Sequence, residues 1–101
     1  MADFVKVADL SELEPGKCKA VEVEGKEIAI FNVEGTIYAL DNTCLHQGGP
    51  LGEGDLSGKI VTCPWHGWEY DVCTGENCED RSMKVATYRV QVEGNDIKVA
   101  V

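Results

Sequence analysis

Positive charge is scarce in this chain. Nine Lys and Arg stand against eighteen Asp and Glu in 101 residues, a formal net charge of −9 with a pI near 4.5. Nucleic acid and anionic membrane surfaces both call for a basic face, so the charge argues against both; a basic protein partner fits better. Long apolar runs are missing too. No stretch approaches the roughly 20 residues needed to cross a bilayer. The start, Met1-Ala2-Asp3-Phe4-Val5-Lys6, has no apolar signal core, no twin-Arg pair and no small-residue cleavage site. The expectation is a cytoplasmic protein without a membrane anchor. Helix-length apolar periodicity, internal repeats, low-complexity tracts and linkers are also lacking. One hundred and one residues make one domain, 1–101, with room for a single site. A small acidic chain of this kind is most simply a monomer.

What remains reads as strands. Phe4 to Val7 forms a first strand, and Asp9 caps a single helical turn with Glu12 at the reciprocating position. Lys17 to Glu24 is a strand whose apolar positions change parity between Ala20 and Val21, which predicts a bulge. Glu27 to Val33 is apolar on both faces, as in a buried strand, and Thr36 to Leu40 follows after Glu34-Gly35, completing a meander. Gly52, Gly54 and Gly58 break up a spacer before two short paired strands, Lys59 to Thr62 and Trp68 to Val72. An irregular acidic segment then runs to Ser82. Ala86 to Glu93 alternates as one half-buried strand, and Gly94-Asn95 turns it into a hairpin with Ile97, Val99 and Val101. The fold class is all-β: antiparallel sheets form a base, with a small subdomain at about 41–74 inserted in it.

That inserted region carries the chemistry. Cys44-Leu45-His46-Gln47-Gly48-Gly49-Pro50 forms one turn-rich loop, and Cys63-Pro64-Trp65-His66-Gly67-Trp68 forms another. The chain has two histidines, and both fall in this pattern. Thiolates and imidazoles in two mixed Cys-His pairs suit a transition metal far better than packing explains them. A structural zinc site could use the same four side chains. Zinc fingers pair Cys with Cys and His with His, however, whereas each loop here mixes the two, which favours two irons.

The spacing C-x-H-x₁₆-C-x-x-H resembles the Rieske signature, and length and strand pattern are similar to a Rieske-type ferredoxin over nearly the whole chain. The resemblance implies one [2Fe-2S] cluster held by Cys44 and Cys63 on the inner iron and by His46 and His66 on the outer one. It also implies a one-electron carrier, not an enzyme, passing electrons from a flavin-dependent NAD(P)H reductase to a terminal oxygenase. High-potential relatives carry one more cysteine in each ligand loop, joined in a disulfide; Gly49 and Trp65 stand at those positions. Trp68 stands where such relatives place a serine that hydrogen-bonds a bridging sulfur, while Tyr70 keeps the place of a tyrosine that bonds a Cys sulfur. Fewer hydrogen bonds to the cluster lower its potential, to about −150 mV. The family's third covering loop corresponds to Cys73–Ser82, which has no proline. Trp68 is expected to be buried, with Leu45, Gln47 and Trp65 at the tip.

Other functions remain to be weighed. The small Rieske-like subunit of a nitrite reductase would share this chemistry. A zinc-stabilised interaction module would not, nor would a redox sensor built on Cys73 and Cys78. The five cysteines are an odd number, and Cys18, in a strand, is read as a core residue.

Overall fold

The computed structural model describes residues 4–43, 49–65 and 67–100. Among them are ten strands and two 3₁₀ turns, with no α-helix. The strands are β1 (Phe4–Asp9), β2 (Cys18–Val23), β3 (Lys26–Val33), β4 (Thr36–Asp41), β5 (Asp55–Ser57), β6 (Ile60–Thr62), β7 (Glu69–Asp71), β8 (Thr87–Tyr88), β9 (Val90–Glu93) and β10 (Asp96–Ala100). They form three antiparallel sheets, in the orders β1-β10-β9, β2-β3-β4-β8 and β5-β6-β7.

The second sheet lies between the other two. Ile28 and Ile30 of β3 pack with Ile97, Val99, Ala8 and Leu13, while Ala29 and Phe31 pack with Val61, Cys63, Tyr70 and Val72. A strand covered on both faces cannot alternate apolar with polar, which is why β3 reads as a continuous apolar run. The two-residue turns that make the meander obey local sterics. Glu24 and Gly25 have φ of 50° and 81°, and Glu34 and Gly35 have 51° and 96°. Positive φ at both central residues is what a type I′ hairpin turn needs to match the twist of its strands.

The parity change in β2 has the same cause as the apolar run in β3, and the expected bulge is absent. Cys18 to Val23 pairs with Phe31 to Lys26 without a register shift. Val21 and Val23 join the cluster toward the first sheet, and Cys18 joins the opposite one. The bulge lies in β1 instead, where register against β10 shifts between Lys6 and Ala8. The turn after β1 is a single 3₁₀ turn, Leu10–Glu12, and the Asp9 N–H donates to Glu12 Oε2 at 3.5 Å as read.

Two further expectations are corrected. Ala86 to Glu93 is not one strand: β8 pairs with β4, β9 pairs with β10, and the chain changes sheets at Arg89, whose carbonyl accepts the Ala100 N–H. Alternation records the period of a strand but not its partner. The glycine-broken spacer contains a 3₁₀ turn, Leu51–Glu53, and the strand β5, which pairs with β6. The paired strands on either side of the second ligand loop are present as β6 and β7, and the Gly94-Asn95 hairpin joins β9 to β10. In sequence, the sheet β5-β6-β7 falls between β4 and β8.

Candidate metal centre

Of the four expected ligands, Cys63 is among the described residues; Cys44, His46 and His66 lie outside them, as do Leu45 and Gln47. Strand β6 delivers Cys63 to the mouth of a tight hairpin. Its N–H donates to the Trp68 carbonyl at 2.7 Å, and its carbonyl accepts the Gly67 N–H at 3.1 Å. The Cys63 side chain belongs to the apolar cluster that includes Phe31, Leu40, Leu51, Val61 and Tyr70, and it is 3% exposed. Trp68 is half-buried against that cluster, whereas Trp65 is 56% exposed, so these two aromatics divide as the sequence predicts.

The first loop leaves β4 and returns through a narrow neck. Thr43 and Pro50 form a bridge across it. Behind the bridge, the Leu51 N–H donates to the Asn42 carbonyl at 2.8 Å and the Gly52 N–H donates to Asn42 Oδ1 at 2.7 Å. Leu51 is fully buried, and burying that side chain contributes about 2 kcal/mol to holding the neck down. From this anchor the chain brings Gly49 against the second loop. A Cβ on Gly49 would sit 2.7 Å from Cys63 Sγ and 3.0 Å from Trp65 Cγ. The two ligand loops therefore meet, and they meet at the positions where high-potential relatives place their extra cysteines. Here packing of a bare backbone against an indole closes the gap, with no sulfur at either position.

Of a [2Fe-2S] ligand set the described residues contribute one donor, and its setting is compatible with such a cluster: the Cys63 sulfur stands in an apolar wall and is faced by Gly49, which has no side chain. Neither the contact of Gly49 with Cys63 nor the bonds of Asn42 to the neck follow from the turn-rich composition of this loop. A run of two glycines before a proline was the available signal.

The segment after β7 is anchored along that strand. The Asp71 N–H donates to the Glu76 carbonyl, the Cys78 N–H donates to the Glu69 carbonyl, and Tyr70 bridges to Asn77. Asn77 is buried, and its Oδ1 accepts the N–H groups of Glu79 and Asp80. The buried Asp71 carboxylate accepts the Cys73 N–H and lies 3.7 Å from Lys59 Nζ and 3.9 Å from Arg81. Cys78 lies opposite Glu69 on this segment, whereas Cys73 sits in the turn after β7, and in this structure the two are separate thiols.

Cys18, Cys73 and Cys78 are thiols. The Cys18 Sγ–H donates to the Gly54 carbonyl at 3.3 Å, beside a cleft of about 350 Å³ lined also by Lys17, Glu53, Asp55 and Leu56. Burial, and then the charge of Asp55, pushes its thiol pKa up. Burial is also the first cause raising that of Cys78. Among the described residues, no three His, Cys, Asp or Glu side chains gather to hold a metal ion elsewhere.

Comparison with known proteins places this architecture. The chain is 38% identical over 97 residues to the ferredoxin component of a naphthalene 1,2-dioxygenase system from Pseudomonas aeruginosa, covering 95% of this chain and 93% of that protein. Its structure is similar to the ferredoxin of carbazole 1,9a-dioxygenase from Nocardioides aromaticivorans IC177, with a TM-score of 0.89, 32% identity and 98% of each chain covered. It is similar as well to a chain in a complex of reduced oxygenase and oxidized ferredoxin in carbazole 1,9a-dioxygenase, with a TM-score of 0.88, 31% identity, and 96% of this chain and 92% of that one covered. The family model of the Rieske [2Fe-2S] domain matches residues 3–95, and with a buried Cys63 facing a side-chain-free Gly49 on three antiparallel sheets, this chain belongs to that family.

Proposed function

We propose that this chain is the ferredoxin of a multicomponent oxygenase system, carrying single electrons from a flavin-dependent NAD(P)H reductase to a terminal oxygenase. Cys44 and Cys63 would hold one iron of a single [2Fe-2S] cluster, and His46 and His66 the other, within a cluster-binding subdomain of about residues 41–74 in one domain, 1–101. When bound, the cluster supplies a reversible one-electron couple; the chain itself carries out no bond-making chemistry. The observation that carries the reading is the meeting of Gly49, Cys63 and Trp65.

The side chains divide the work. Cys63, Leu51, Tyr70 and Val61 exclude water from the inner side. Trp65 presents an apolar surface at the outer side, where a partner must approach closely for an electron to pass. The eighteen carboxylates steer the protein toward basic partners, and salt screens that attraction. A potential near the low end of the Rieske range, as Trp68 implies, suits a donor fed from a nicotinamide through a flavin. The ferredoxin relatives support the role, and one of the similar structures holds a ferredoxin together with its oxygenase. No helix among the described residues is long and apolar enough to cross a membrane; the proposed carrier is cytoplasmic.

Reconstitution tests the proposal. With a ring-hydroxylating oxygenase and its reductase, product should form only when this protein is added, at a rate that falls as salt rises. Equal turnover without it would overturn the assignment.

A further inference from the structure

The neck of the first ligand loop depends on one buried amide. Asn42, 5% exposed, follows the last residue of β4 and makes three hydrogen bonds to other described residues. Its N–H donates to the Glu27 carbonyl at 3.1 Å, its carbonyl accepts the Leu51 N–H at 2.8 Å, and its Oδ1 accepts the Gly52 N–H at 2.7 Å. The first two are backbone bonds that other residues could make. The third requires a side-chain oxygen at this position, and without it the buried N–H of Gly52 loses its partner.

Gly52 has little freedom to adjust. A Cβ there would lie 2.7 Å from the Ala20 nitrogen and 2.8 Å from its Cα, so the neck is already pressed onto β2. Two residues separate Gly52 from Gly49, whose place against Cys63 Sγ is equally tight. Only Pro50, whose ring fixes φ, and Leu51 lie between the two glycines, so the bond to the Gly52 N–H acts with the buried Leu51 to hold one short, stiff link in place against Cys63.

We propose that Asn42 is a positioning residue: its side-chain oxygen fixes the neck of the first ligand loop and so sets how that loop meets Cys63. The inference rests on the cluster assignment above and adds to it a residue that ligates nothing. Asn32 provides a matched comparison. It is 3% exposed, its Nδ2 donates to the Leu13 carbonyl at 2.8 Å, and its Oδ1 accepts the Gly35 N–H at 2.8 Å, but it braces the turn after β3, away from either ligand loop.

The test compares Asn42→Ala, Asn42→Gln, Asn42→Asp and Asn32→Ala by the rate of iron release to a chelator and by the line shape of the reduced protein's paramagnetic spectrum. Loss of a group that orients metal ligands typically weakens retention by about 10- to 100-fold. Asn42→Ala should therefore release iron at least about 10-fold faster, with a broadened spectrum. Asn42→Gln, which displaces the amide by one methylene, should behave in the same direction and stands in if the alanine variant does not fold. Asn42→Asp, which keeps the acceptor oxygen, should restore slow release. Asn32→Ala should lower thermal stability while leaving release and line shape unchanged. Release at the unmodified rate from Asn42→Ala or Asn42→Gln, or equal acceleration by Asn32→Ala, overturns the proposal. An unmodified protein with no iron-sulfur signature overturns the cluster assignment instead.

Discussion

Gly49→Ala should yield a protein that keeps its sheets but holds little iron. The added methyl would lie 2.7 Å from Cys63 Sγ and 3.0 to 3.2 Å from Trp65 side-chain carbons, closer than real Cβ atoms approach sulfur. Trp65, largely exposed, can swing away; Cys63 cannot, because its backbone is tied at both ends of the hairpin and its side chain is packed in the core. The first loop must then retreat. Overpacking of this kind costs about 1–3 kcal/mol, which corresponds to a roughly 5- to 150-fold fall in the population of the arrangement competent to share a cluster. Iron per chain after purification, read beside far-ultraviolet circular dichroism, checks this. A Gly49→Ala protein with a full complement of iron and sulfide would show that the close approach plays no part in holding the cluster.

Cys63→Ser should eliminate the cluster outright, whereas Cys18→Ser, Cys73→Ser and Cys78→Ser should each retain it. A serine hydroxyl is a hard and weakly acidic donor in place of a soft thiolate. At a position 3% exposed it also adds a buried polar group in the apolar wall. The other three cysteines lack this setting. Cys18 donates to the Gly54 carbonyl, Cys73 is exposed at the turn after β7, and Cys78 lies on the segment running beside that strand. Iron and acid-labile sulfide determined across the four variants give the readout. Retention of iron by Cys63→Ser, or its loss from Cys73→Ser, would contradict the ligand assignment.

Much of this architecture is legible in the chain itself. The all-apolar run of Ile28 to Phe31 announces a strand covered on both faces, and Glu-Gly and Gly-Asn pairs announce the hairpins. These signals are local: one strand's side chains or one turn's dihedral angles carry them. The Cys-His spacing announces the metal site because ligand chemistry restricts residue type so strongly. What the sequence hides is set by contacts between distant segments. Strand exchange at Arg89 depends on which neighbours β4 and β10 offer. The parity change in β2 looks like a bulge until it is clear that Cys18 and Val23 face different cores. Asn42 looks like an ordinary turn residue, since the N–H groups that give it a function belong to Leu51 and Gly52, beyond the loop it closes.

The central claim is that two thiolates and two imidazoles hold one two-iron cluster, and the electron paramagnetic resonance spectrum of the dithionite-reduced protein tests it most directly. Mixed nitrogen and sulfur ligation predicts a rhombic signal whose average g falls below that of all-thiolate [2Fe-2S] ferredoxins. A signal with the higher all-thiolate average, or a protein that binds a single zinc ion and gives no signal, would contradict the account.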